Sequence, residues 1–158
     1  MDLLRKAREE GGTVDLNALI EAIPYAKFLG ITVDQKGTEI TTVLNFEEKL
    51  IGNPVLPALH GGVIGALLEM TAIIQLAYDA KGDALPKPID ITVDYLRSGR
   101  PIDTYARARV TKHGRRVANV QVEAWQEDRM KPIAAAHGHF LLAPPPESAT
   151  ESTQDAAG

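Results

Sequence analysis

Cysteine is absent from this chain. Its absence excludes disulfides, thiolate catalysis and cysteine-built metal sites, and it suits a reducing cytoplasm, the expected location. An excess of one charge is also lacking. Lys and Arg number 17 against 21 Asp and Glu, a formal net charge of −4, so no bulk field draws the chain to nucleic acid or an anionic membrane. Residues 1–12 hold no apolar stretch of the kind a signal peptide needs. The longest apolar run, within 63–78, is interrupted by Glu69 and Gln75 and is expected to fall short of a bilayer span. Aromatic residues make up only 5%, which gives no vote between an aryl and an aliphatic ligand.

What is present is an ordinary globular mix, 44% apolar over 158 residues, enough for one domain with its own core. Residues 1–14 are polar and glycine-containing and are expected to be a mobile N-terminus. The domain is expected over 15–143, and the tail over 144–158, Pro-rich and then Ser/Thr/Glu/Ala-rich, is expected to be disordered. Asp15 predicts an N-cap for a short helix over 16–23 that Pro24 ends. Alternating patterns predict strands over 31–36 and 39–46, then an irregular loop over 47–58. One long helix is predicted over 59–81, followed by strands over 89–95, 103–112, 117–126 and 131–142 joined by short turns, which implies an antiparallel meander. The fold class is therefore α+β, an antiparallel five- to six-stranded sheet wrapped around one long central helix. That helix is apolar nearly all round, the mark of a buried helix. One curved sheet covers about half of it, so a second subunit is expected to cover the rest.

Glu69 is the sole charged side chain between His60 and Asp79. A lone buried carboxylate costs several kcal/mol unless paired, and such groups tend to be functional; the structural alternative is an arginine partner across a subunit interface. His60-Gly61-Gly62 opens the same helix. Two glycines let a ligand approach the backbone, and free N–H groups at the positive end of the helix dipole would stabilise a developing oxyanion; the alternative is a helix start that merely packs tightly. Gly61 and Glu69 stand eight residues apart, about 12 Å along a helix, too far for one chain to bring both to one carbonyl. The spacing predicts composite sites at a dimer interface, Glu69 from one chain and Gly61/Gly62 from the other. His60 is expected to shape the helix start through a backbone hydrogen bond. His137 and His139 share a strand face without a third ligand beside them in sequence, so they are expected to pack, and no metal is expected. His113 is expected in a hairpin turn, exposed to solvent.

The stretch Leu50-Ile51-Gly52-Asn53-Pro54-Val55-Leu56-Pro57-Ala58-Leu59-His60-Gly61-Gly62-Val63, followed by Leu67-Leu68-Glu69, resembles the hotdog-fold acyl-CoA thioesterases of the PaaI-like and 4-hydroxybenzoyl-CoA groups. Their pattern is His-Gly-Gly with an acid nine positions after the His. The resemblance extends over about residues 22–142, through Val93-Asp94-Tyr95-Leu96-Arg97 and His113-Gly114-Arg115. It implies a hotdog fold, hydrolysis of an acyl-CoA to a carboxylic acid and free CoA, no separate cofactor, and a homodimer with interface active sites assembling to a tetramer. It further implies that Gly61, with Gly62, supplies the oxyanion amide and that Glu69 attacks the thioester or activates water. Asn53 stands seven residues before the His, where the family commonly has an amide six before. The 4-hydroxybenzoyl-CoA branch often has Thr four residues after the Glu; this chain has Ile73, so a polar helper either comes from elsewhere, with Thr71 as the candidate, or is absent. Arg97, Arg115 and Arg116, with Arg100 and Lys112 nearby, are candidates for the CoA phosphates.

Two other readings stay open. A hotdog acyl-CoA-binding module would bind without hydrolysis. An enoyl or hydroxyacyl thioester (de)hydratase would need a catalytic His on the loop before the helix, where this chain has Leu50-Ile51-Gly52. A DNA-binding regulator would need a basic helix pair that residues 1–30 do not provide.

Overall fold

The computed structural model describes residues 3–8, 13–80 and 84–142. Three short helices precede the sheet: α1 (Leu3–Ala7), α2 (Leu16–Ala22) and α3 (Pro24–Phe28). Asp15 caps α2, its carboxylate accepting the N–H groups of Asn17 and Ala18 at 3.0 Å each. Pro24 does more than end that helix. It takes the first position of α3, where its missing N–H costs nothing. Part of the segment expected to be mobile is also packed. Leu4 and Ala7 bury one face of α1, and the Arg8 guanidinium donates to the Ala80 carbonyl at 2.8 Å, satisfying the C-terminal end of the long helix. The rest of that segment, residues 1, 2 and 9–12, and the tail from 143 onward lie outside the described residues.

Six strands form one antiparallel sheet: β1 (Ile31–Lys36), β2 (Glu39–Leu44), β5 (Lys87–Tyr95), β6 (Thr104–His113), β7 (Val117–Trp125) and β8 (Ala134–Leu141), in the order β1-β2-β6-β7-β8-β5. The loop expected to be irregular holds a small hairpin, β3 (Ile51–Asn53) against β4 (Ala58–Leu59). The expected meander holds for β6, β7 and β8, but β5 departs from it. It precedes β6 in the chain yet pairs with β8 at the far edge. The link from β5 to β6 runs past the ends of β8 and β7, tied by the N–H groups of Leu96 and Arg97 to the Ile133 carbonyl at 2.8 and 3.0 Å. The buried Gln126 amide holds it further on, accepting from Arg100 N–H at 3.0 Å and donating to the Arg100 carbonyl at 2.8 Å.

The long helix α4 (Gly61–Asp79) lies in the concave face of this sheet. The inward strand positions are rich in alanine (Ala106, Ala118, Ala124, Ala134, Ala136) among Val120, Val122 and Phe140. Alanine is a poor strand former, but its small side chain lets the helix approach closely. Ile64, Leu67, Leu68, Thr71, Ala72 and Ile74 bury the facing side of α4. Thr71 is satisfied there, its hydroxyl donating to the Leu67 carbonyl at 2.6 Å while Thr42 Oγ1 lies 2.5 Å from it. By length and composition α4 is apolar enough to cross a membrane, which the interrupted run over 63–78 was not expected to be; here half of it is instead the core of the sheet. The opposite side, with Gly62, Gly65, Ala66, Glu69 and Met70, is only partly covered. A sheet wrapped around one helix is the hotdog architecture.

Candidate active site

The first turn of α4 is built around His60. Its backbone is extended (φ −62°, ψ 131°), and it is the N-cap, with Nδ1 accepting the Gly62 N–H at 2.9 Å. That role places the ring proton on Nε2. The His60 N–H donates to the Leu50 carbonyl at 2.9 Å, and the His60 carbonyl accepts from Val63 and Ile64 at 3.0 and 3.2 Å. The neighbouring glycines make room for this residue. A Cβ on Gly62 would lie 2.9 Å from His60 Nδ1, and one on Gly52 would lie 2.7 Å from His60 Cα.

This geometry corrects one expectation. The Gly62 amide, expected to be available beside that of Gly61, is occupied by the imidazole. The Gly61 N–H makes no hydrogen bond among the described residues. It is the free donor at the positive end of a 19-residue helix, and Gly61 borders a cleft of about 370 Å³ shared with Tyr95, Arg97 and Ser98.

Glu69 is half-buried rather than buried. It lies on the open side of α4, in line with Gly62 two turns earlier, and makes no hydrogen bond or ion pair among the described residues. Thr71 cannot assist it. Two residues on, it points about 200° around the helix into the core, with its hydroxyl committed to Leu67. Ile73, one turn after Glu69, is apolar and buried. Asn53 is exposed, and its side-chain oxygen accepts from the N–H groups of Val55 and Leu56 at 3.0 and 3.2 Å. It therefore shapes its own loop through its oxygen and leaves only its NH₂ for a ligand.

The three candidate arginines are not brought together. Arg97 lines the cleft beside Gly61 and donates to the Pro132 carbonyl at 2.6 Å. Arg115 and Arg116 sit in the β6–β7 turn, at the opposite end of the strands, about 30 Å away for strands of this length. Arg100 pairs with Glu127. Of these groups, only Arg97 can serve the cleft within one chain. On the outer face of the sheet, strand register sets Asp90 opposite His139, with Nδ1 2.8 Å from Oδ1. This acidic partner could not be read from sequence distance. The hydrogen bond from His139 holds the Asp90 carboxyl below its usual range. No group of three side chains able to hold a metal ion occurs among the described residues.

A family model described as Thioesterase superfamily matches residues 56–133, a stretch that contains the first turn of α4, Glu69 and Arg97. The medium/long-chain acyl-CoA thioesterase YigI of Salmonella typhimurium is 27% identical over 134 residues, covering 76% of this chain and 86% of the relative. A Chromobacterium violaceum protein of known crystal structure is 39% identical, covers 82% of this chain and 90% of its own, and superposes with a TM-score of 0.67. A Shewanella oneidensis protein related to the thioesterase superfamily is 25% identical over 82% of this chain and 94% of its own, with a TM-score of 0.69.

Proposed function

Because the chain belongs to the thioesterase superfamily, we propose that it hydrolyses an acyl-CoA, water and the thioester giving a carboxylic acid and free CoA, at sites shared between two subunits. The observation that carries this reading is a pair of unsatisfied groups on one helix, the Gly61 N–H and the Glu69 carboxylate. They stand about 12 Å apart along the axis, so one chain cannot bring both to one carbonyl. A two-fold partner lying antiparallel across the open side of α4 would set its Gly61 amide opposite this Glu69, and the reverse, in the self-complementary manner of such interfaces. The β5 edge supports that arrangement, since Ile89, Tyr95 and Leu96 are exposed apolar side chains on or beside a strand paired on one side only.

In the proposed reaction the Gly61 N–H takes the thioester oxygen as it gains charge. Glu69 takes a proton from the attacking water, or itself attacks the carbonyl carbon to form a mixed anhydride that water then hydrolyses, releasing the acid and restoring the carboxylate. Thiolate leaves and is protonated as CoA. The acyl chain is proposed to be medium to long, supported by the name of the Salmonella relative and by the apolar Ala66, Met70 and Ile73 beside Glu69.

Thiol release from a series of acyl-CoAs of increasing chain length tests the activity. Glu69→Gln should lower kcat by about 10³, within the usual range for losing a positioned acid–base group, with the fold intact because Glu69 has no partner to lose among the described residues. Gly61→Pro deletes the amide hydrogen at the first helical position, where proline is tolerated; the extended His60 backbone suits a following proline. It should cost about 10²–10³. Mixing the two variants decides where the site lies. Shared sites regain about a quarter of wild-type activity, since half of randomly paired dimers carry one intact site, whereas sites within one chain regain none. Binding without thiol release by wild type would favour the acyl-CoA-binding module, and hydration of an enoyl thioester the (de)hydratase.

A further inference from the structure

Tyr95 ends β5, 34 residues from the helix start, yet its hydroxyl donates to the Gly61 carbonyl at 2.8 Å. Its ring packs against the start of the helix, so that a Cβ on Gly61 would meet its Cε1 and Cζ at 3.4 Å and one on Gly65 its hydroxyl at 3.4 Å. The side chain is 56% exposed, and core packing does not account for this orientation.

The peptide between Gly61 and Gly62 is therefore held at both polar ends by side chains. Tyr95 holds its carbonyl, and His60 Nδ1 holds its N–H at 2.9 Å. Two successive glycines are the most permissive backbone the chain can use, and helix ends fray. Left to itself, such a turn would not keep its amides aimed. An N–H stabilises an oxyanion effectively only when it is aimed before the charge develops. The free Gly61 N–H belongs to the next peptide back, and its direction is coupled through the φ and ψ of Gly61 to the peptide that Tyr95 and His60 hold.

We infer that Tyr95 is a positioning residue: by fixing the Gly61 carbonyl from the sheet, it aims the Gly61 N–H into the cleft. The inference rests on the proposed role of Gly61 in thioester hydrolysis, and on no contact between Tyr95 and the reacting atoms.

Tyr95→Phe keeps the ring and removes the one hydrogen bond. The expected result is a kcat lower by about ten- to a hundredfold, less than the loss of the donor itself, with KM changed by less than about twofold because ground-state binding is untouched. Amide exchange at Gly61 and Gly62 should speed up, while exchange in the sheet core stays as in wild type. An unchanged kcat, a change confined to KM, or unchanged exchange at both glycines would overturn the inference. If the phenylalanine variant loses core protection as well, Tyr95→Trp, which restores a ring with an N–H donor, is compared; a folded tryptophan variant that also keeps wild-type kcat without protecting Gly62 overturns it. Failure of wild type to hydrolyse any acyl-CoA sinks the thioesterase reading and this role with it. Hydrolysis that is normal in wild type and undiminished in Tyr95→Phe sinks the role of Tyr95 alone.

Discussion

The two sides of α4 obey different rules. The side against the sheet is closed, with Leu67, Leu68, Ala72 and Ile74 fully buried among inward alanines and even the polar Thr71 satisfied by Leu67 and Thr42. The other side is left unfinished. Gly62, Gly65 and Ala66 are small, Met70 is half covered, and Glu69 is a carboxylate without a partner among the described residues. A folding argument explains the first side completely. The second side is where the proposed partner subunit and substrate would sit.

Truncation on the closed side should break the fold rather than the chemistry. Leu68→Ala should lower stability by about 2–5 kcal/mol, measured by urea denaturation, because the rigid surroundings cannot collapse into the space left. A loss as small as that of a surface change would erase the contrast between the sides. Glu69→Gln is the mirror test, with a large loss of rate and little loss of stability.

The first turn, where the two sides meet, should show an intermediate effect of both kinds. Gly62→Ala pushes a methyl group to 2.9 Å from the capping imidazole and should displace it. The expected cost is about 1 kcal/mol of stability, the worth of a helix cap, with a measurable fall in kcat as the turn loosens. A variant with wild-type rate and wild-type melting would show that the His60 cap is dispensable.

The smallest effect belongs to the outer face of the sheet, far from either side of the helix. Asp90 is held below its usual range by the hydrogen bond from His139. A carboxyl lowered in the folded state adds stability above its unfolded value, about 3.9, and that contribution disappears as pH falls through the lowered folded value. The melting temperature of wild type should therefore exceed that of Asp90→Asn at neutral pH and converge on it in acid. The pair is solvent-exposed, so the gap should also narrow with added salt.

Much of this was legible in the residues. The periodicity of 31–36 and 39–46 placed the first hairpin, whose second strand ends two residues earlier at Leu44, the apolar run placed α4 to within two residues at each end, and one glutamate in that run marked the candidate site. Asn53 and Thr71 show where reading by spacing stopped. Both have suitable chemistry near the right positions, but Asn53 turns its oxygen onto its own loop and Thr71 faces the core. Side-chain direction depends on neighbours that spacing alone does not specify.

The sequence by itself determined the long helix, the strands of the large sheet, the exceptional carboxylate and the glycine-rich helix start, because hydrophobic period, capping and glycine placement act over a few neighbouring residues. Only the tertiary structure decided that β5 lies beside β8, that Tyr95 reaches Gly61, that Asp90 faces His139, and that of two glycine amides one is taken and one left free. Three of these are long-range pairings set by strand order and register. The fourth follows from the rotamer of His60, which the space above Gly62 and Gly52 permits.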